Sequence, residues 1–256
     1  MNGYNAFLKK EINELVRTKR LMIIMIVFII VGILNPATAK LTPKLLELAS
    51  ADYDNLGITV GNIRVTALDS WTQFAKNIFT VLIVFVVMFS GIYASEYSKG
   101  TLIPLLTKGL SRNSAVFSKL TVMILTWSAG FWICFGITYF YSDYYWDNSS
   151  VMELFFAGFC WWFFGLLMIS CIVFFSSFAG SAAQVILGTG GVYIFMSLVG
   201  LYSKAKKFLP IQLTNSLSLY NGELVPSDYT AAVIITATVS LMLVVAALPL
   251  THNRQL

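Results

Sequence analysis

The stretch Met152–Ser176, MELFFAGFCWWFFGLLMISCIVFFS, carries a single charged residue, Glu153, near its start. A helix of about 20 mainly apolar residues is long enough to cross the hydrocarbon core of a bilayer. This one segment already sets the class of fold, and the rest of the chain repeats it. The next apolar run, Ala182–Tyr202, follows after only Ser177-Phe178-Ala179-Gly180-Ser181, so the two should form a tight helical hairpin. Leu21–Ala39, Trp71–Ala94, Leu120–Tyr141 and Tyr229–Leu250 also reach spanning length. The expected fold is an all-α polytopic membrane protein, one transmembrane domain over residues 1–256 with six spans. The first span is the weakest. Its strictly apolar part, Leu21–Leu34, is short, and Pro36 is expected to kink or end it.

Composition agrees. The 256 residues are 57% hydrophobic and 11% charged, against about 25% charged in soluble domains. Mean hydropathy is +0.76. Phe, Trp and Tyr make up 15%, which suits interfacial belts and packing. Ala37-Thr38-Ala39 has the small-residue pattern of a signal cleavage site, but Met1–Arg20 is too long and periodic for the basic leader segment, so no cleavage is expected. Cys134, Cys160 and Cys171 lie in apolar runs and suggest packing rather than disulfides or a metal site.

An even number of spans places both termini on one side. With the N-terminus inside, the inner segments carry Lys9, Lys10, Arg17, Lys19, Arg20, Lys99, Lys108, Arg112, Lys119 and Arg254 against Glu11, Glu14 and Glu96 alone. Such a bias marks the cytoplasmic side. Lys204, Lys206 and Lys207 would then lie outside, at a span end from which they can snorkel. Residues 40–70 and 203–228 are the outer segments. In the first, Thr42-Pro43 reads as the cap and first turn of a short helix. In the second, Leu209–Leu219 is apolar but too short to span. It either lies at the interface or re-enters the membrane.

Residues 3–18 have helical apolar periodicity: Tyr4, Phe7, Leu8, Ile12, Leu15 and Val16, with Lys9, Lys10, Asn13 and Arg17 opposite. Such a helix should rest in the inner interface, with Phe7 and Leu8 in the lipid and Lys9, Lys10 and Arg17 on anionic headgroups.

The sequence carries no motif for an engine of its own. No Gly-x4-Gly-Lys-Ser/Thr loop occurs, and Gly188-Thr-Gly-Gly191 reads as close helix packing. Acidic residues and His are missing from the span interiors, where ion-coupled transporters place them. Gln184 is the main polar side chain expected to be buried. His252, the one histidine, sits in the C-terminal tail, and no carboxylate pair or nucleophile–base pair lies at membrane depth. The chain is not expected to be an enzyme, and no catalytic residue, metal or cofactor is assigned to it.

One basic segment between two spans stands apart: Glu96-Tyr-Ser-Lys-Gly-Thr-Leu-Ile-Pro-Leu-Leu-Thr-Lys-Gly-Leu-Ser-Arg112. Leu102, Leu105, Leu106 and Leu110 share one face of a short helix. Thr101 can cap it, Pro104 fits its first turn, and Gly109 can end it. Ser111 can cap the helix that follows. By composition alone this is either a lever docked on a soluble partner or a helix resting on headgroups.

The pattern Glu96-Tyr97-x-x-Gly100-Thr101-Leu102-x-x-Leu105-Leu106, then Ser111-Arg112 and Lys119, resembles the inner-loop signature of type-2 ABC exporter permeases. The six-span layout, the N-terminal interfacial helix and the Asn35-Pro36-Ala-Thr-Ala-Lys40 exit from the first span are similar to that family as well. Thr107-Lys108-Gly109-Leu110 departs from it, where a small residue or Pro would be expected. The resemblance implies a coupling helix that contacts a separate ATPase holding ATP and Mg, through Glu96, Gly100, Thr101, Leu102, Leu105, Leu106 and Arg112. It also implies two permease copies or paralogues forming the pathway in a bacterial plasma membrane. The substrate would be an amphipathic or hydrophobic peptide, drug or lipid, as in bacterial peptide-toxin or antimicrobial-peptide exporters. Phe131, Trp132, Trp161, Trp162, Phe163 and Phe164 offer aromatic surface to such a substrate or to lipid. Two other classes remain open: a non-transporting scaffold or immunity subunit, and a gradient-driven transporter.

Overall fold

The first span is where the structure departs furthest from the sequence reading. The computed structural model describes residues 3–53, 64–98 and 111–253. In it the helix that begins at Arg20 does not end at Pro36. It runs unbroken to Tyr53 through both Pro36 and Pro43. We label the long helices α1 (Gly3–Arg17), α2 (Arg20–Tyr53), α3 (Ala67–Ser98), α4 (Arg112–Trp146), α5 (Leu154–Ser176), α6 (Ala182–Val199) and α7 (Thr230–Asn253). Each of α2 to α7 contains a stretch long and apolar enough to cross a membrane, six in all. Among the described residues there is no strand.

The reason α2 survives Pro36 is local. Proline has no N–H, so the carbonyl of Gly32, four residues back, loses its helical partner. The Thr138 hydroxyl of α4 donates to that carbonyl instead, at 3.1 Å. Asn35 Nδ2 donates to the same hydroxyl oxygen at 3.0 Å, and Asn77 Nδ2 of α3 donates to Asn35 Oδ1 at 2.8 Å. Asn35 and Thr138 are both fully buried. Three helices thus meet at one polar knot, which supplies the bond the proline removes. Thr42 is likewise not a helix cap: it lies inside α2 and donates to the Thr38 carbonyl at 2.8 Å.

α1 and α2 are separated by Thr18 and Lys19, the latter in the left-handed region at φ 58°. Asp69 accepts from the Thr66 N–H at 2.7 Å and starts α3. Ser111 caps α4 as read from the sequence, accepting from the Ser114 N–H at 3.1 Å. The α5–α6 hairpin forms, and Ser181 is the cap of α6.

Rings seated on glycines hold the core. Trp127 lies against Gly165, where a Cβ would come within 2.2 Å of the indole. Phe28 occupies the same relation to Gly130. Trp127 also meets Phe28 and Phe85 edge-on, with centroids 5.6 and 5.4 Å away. Helices in a membrane gain little from expelling water, so close fits of this kind carry the association. Within the glycine-rich run of α6, Gly188 alone is tight, against Phe175, while Gly190 and Gly191 face open space.

Residues 203–228 fold back onto the span ends. Ile211, Leu213, Leu219 and Tyr220 are buried, and the Tyr220 carbonyl accepts from the Met152 N–H at 3.2 Å. Tyr220 stands 6.3 Å from Trp71, whose indole N–H donates to the buried Asn148 at 2.9 Å. Gly222 turns this segment at φ +70°, a conformation that costs glycine nothing. Two further expectations change. Gln184 is exposed, its Oε1 accepting from the Gly180 N–H at 2.7 Å. Phe131, Trp161 and Phe164 are buried in the core, whereas Trp132 is 39% exposed.

Candidate functional site

α1, the end of α7 and the two flanks of residues 99–110 gather at one end of the bundle. There α1 packs on the start of α4. Tyr4 shares a hydrogen bond with Thr121 at 3.0 Å, and Ser118 Oγ donates to the Tyr4 carbonyl at 3.3 Å. The end of α7 arrives at the same place. Arg112, the first residue of α4, donates from Nη1 to the Thr251 carbonyl at 2.9 Å. A cation suits the last carbonyls of a helix, where the dipole is negative and partners are lacking.

Of the residues expected to contact an ATPase, Gly100, Thr101, Leu102, Leu105 and Leu106 lie outside the described residues. Glu96 belongs to the last turns of α3. Arg112 is the remaining one, and the structure ties it to α7. It therefore has a scaffolding bond that the sequence did not suggest.

α1 has two apolar faces. Phe7 and Leu15 are buried against the protein, 3% and 5% exposed. This corrects the placement of Phe7 in lipid: its ring is covered by the chain itself. Leu8 is half-buried, Lys9 and Arg17 are exposed, and Ile12 and Val16 form the outward apolar stripe. Lys10 bonds Glu11 at 3.1 Å and Glu14 at 3.0 Å. Burial pushes the Glu14 carboxyl up, but the hydrogen bond and charge of Lys10 outweigh it, and the group lies below its ordinary value.

At the centre of this end is an ion pair. Lys119 of α4 donates to Glu11 Oε2 of α1 at 3.0 Å, and both side chains are almost wholly buried. The same ammonium donates to the Ile92 carbonyl of α3 at 3.3 Å and sits 5.7 Å from the Phe7 ring centroid. Sequence reasoning missed this pair. The available signal was that Glu11 falls at helical spacing between Phe7 and Leu15, a charge in an apolar register.

A second feature lies at span depth. A cavity of about 290 Å³ opens between α3, α5 and α6, walled by Phe79, Leu82, Val86, Met168 and Tyr193. Thr189 also lines it, and its buried hydroxyl has no hydrogen-bond partner among the described residues. Among the described residues no cluster of His, Cys, Asp or Glu could hold a metal ion.

Residues 6–247 match the family model described as ABC-2 family transporter protein. The chain belongs to the ABC-2 transporter family. A search of the curated proteins finds no match to it. As an ABC-2 permease it is the membrane component of an ABC transporter, and its family implies an ABC ATPase as partner. The six spans make it a multi-pass membrane protein.

Proposed function

We propose that this ABC-2 permease is the transmembrane half of an ATP-driven exporter, coupled to a separate ATPase through residues 96–112. The observation that carries the reading is the family match across residues 6–247, which covers five spans, most of the sixth and the segment between α3 and α4. The site supports the coupling role. Both flanks of residues 99–110 are anchored, through Lys119 on Ile92 and Arg112 on Thr251. A push on the segment would be passed to α1, α3, α4 and α7 together. ATP binding closes the ATPase dimer, the segment moves, and the spans rearrange.

Two permease copies or paralogues form the pathway. Both termini face the cytoplasm of a bacterial plasma membrane, as the basic bias of the inner segments supports. The substrate is amphipathic or hydrophobic, a peptide of the toxin or antimicrobial class being the reading we favour. An apolar cavity at span depth and the low charge of the chain support it. ATP and Mg belong to the partner.

The test is Leu102→Asp with Leu105→Asp. Carboxylates on the apolar face of the segment should release the ATPase from detergent-solubilised complexes and abolish export. Normal ATPase binding and normal export in that variant would rule out the coupling role.

A further inference from the structure

We propose that Glu11 and Lys119 form a positioning device that locks α1 to the end of α3 and the start of α4, the two flanks of residues 99–110, so that α1 travels as one body with those helix ends. The inference rests on the coupling role proposed above and deepens it.

Phe7 and Leu15, one turn to either side of Glu11, already give α1 an apolar seat. Attraction alone does not need the charges. Burying an ion pair is often no better for stability than an apolar pair of the same size. What the pair adds is direction. The Lys119 ammonium is aimed at Glu11 Oε2 in α1 and at the Ile92 carbonyl in α3, while its own backbone belongs to α4. Ile92 precedes Glu96 by one helical turn, and Lys119 follows Arg112 by two. One charged group therefore joins the amphipathic helix to the helix that enters the segment and to the helix that leaves it. Lys10 holds the other carboxylate oxygen of Glu11 and extends the lock to Glu14. An apolar contact would let α1 slide or roll against α4, whereas a bonded pair fixes its register.

The experiment places nitroxides on Ile12→Cys and Phe117→Cys, both exposed sites, one on α1 and one on α4. The native cysteines are buried and stay unlabelled. Pulsed electron resonance on the permease–ATPase complex in lipid discs reads the spacing with and without ATP. The intact pair should give one narrow spacing that ATP does not change. Two variants follow. Glu11→Gln removes the carboxylate charge while Lys119 keeps the Ile92 carbonyl, and should broaden the spacing. Glu11→Leu with Lys119→Met removes both charges and the cost of burying them, so it folds while lacking the lock. The double variant should keep its ATPase, lose the single narrow spacing and acquire an ATP-dependent one. Wild-type spacing in the double variant overturns the proposal, and so does a wild-type spacing that shifts with ATP. Failure of any ATPase to co-purify with the wild-type chain would instead sink the coupling reading itself, before any variant is compared.

Discussion

Replacing Thr138 by Val should weaken the protein at Pro36, because the Thr138 hydroxyl stands in for the N–H that the proline lacks. The swap keeps the shape and removes a hydroxyl that donates to the Gly32 carbonyl at 3.1 Å and accepts from Asn35 Nδ2 at 3.0 Å. Both orphaned groups are buried. In water-soluble proteins each unsatisfied group costs about 1–3 kcal/mol. Hydrogen bonds between membrane helices average nearer ~0.6 kcal/mol in mutant cycles. Asn35 keeps its bond from Asn77, so we set the total at about 1–3 kcal/mol, between those scales. The assay is unfolding in mixed micelles, followed by helicity. Thr138→Ser keeps the hydroxyl and should cost less. The decisive arm is the same substitution in a Pro36→Ala background. Alanine restores the N–H that Gly32 lacks, so Thr138→Val should then cost about 1 kcal/mol less. An equal cost in both backgrounds would refute the explanation of how α2 passes its proline.

Other outcomes follow from the same contacts. Gly165→Ala should destabilise by about 1–3 kcal/mol, because the added Cβ would meet the Trp127 ring at 2.2 Å. Gly190→Ala, with open space around it, should be neutral or stabilising in the same micelle unfolding assay. Trp71→Phe removes the N–H that Asn148 accepts and should cost about 1–2 kcal/mol, measured as a lowered unfolding midpoint. Glu14 titrates below its ordinary value of 4.5, so the bound proton is disfavoured in the folded state. Its contribution is present above that value and fades as pH falls through the lowered one. Lys10→Met should move the titration, read by carboxyl NMR, upward, and an unmoved titration would remove Lys10 as the cause.

The spans were legible because membrane helices announce themselves by apolar length, and the cap at Ser111 because capping chemistry is local. What escaped the sequence was long-range. Pro36 reads as a helix end in any single segment, and only the hydroxyl of Thr138, on another helix, cancels that reading. Gln184 looked like the buried polar residue of its span, but the hairpin turn draws its amide to the Gly180 N–H at the surface. Phe7 belonged to the right helix and the wrong face: two apolar stripes share α1, and periodicity does not say which one meets protein. Lys119 and Glu11 both stand among the charges of the inner segments, but nothing local pairs them across so many residues.

The most direct test of the account is a mild-detergent pull-down of the tagged chain from its native membrane, with ATP hydrolysis measured on the eluate. The account predicts a stoichiometric phosphate-loop ATPase that is lost when residues 102 and 105 carry carboxylates. An eluate with no ATPase and no turnover would contradict it, and would leave the segment between α3 and α4 as a helix resting on the membrane surface.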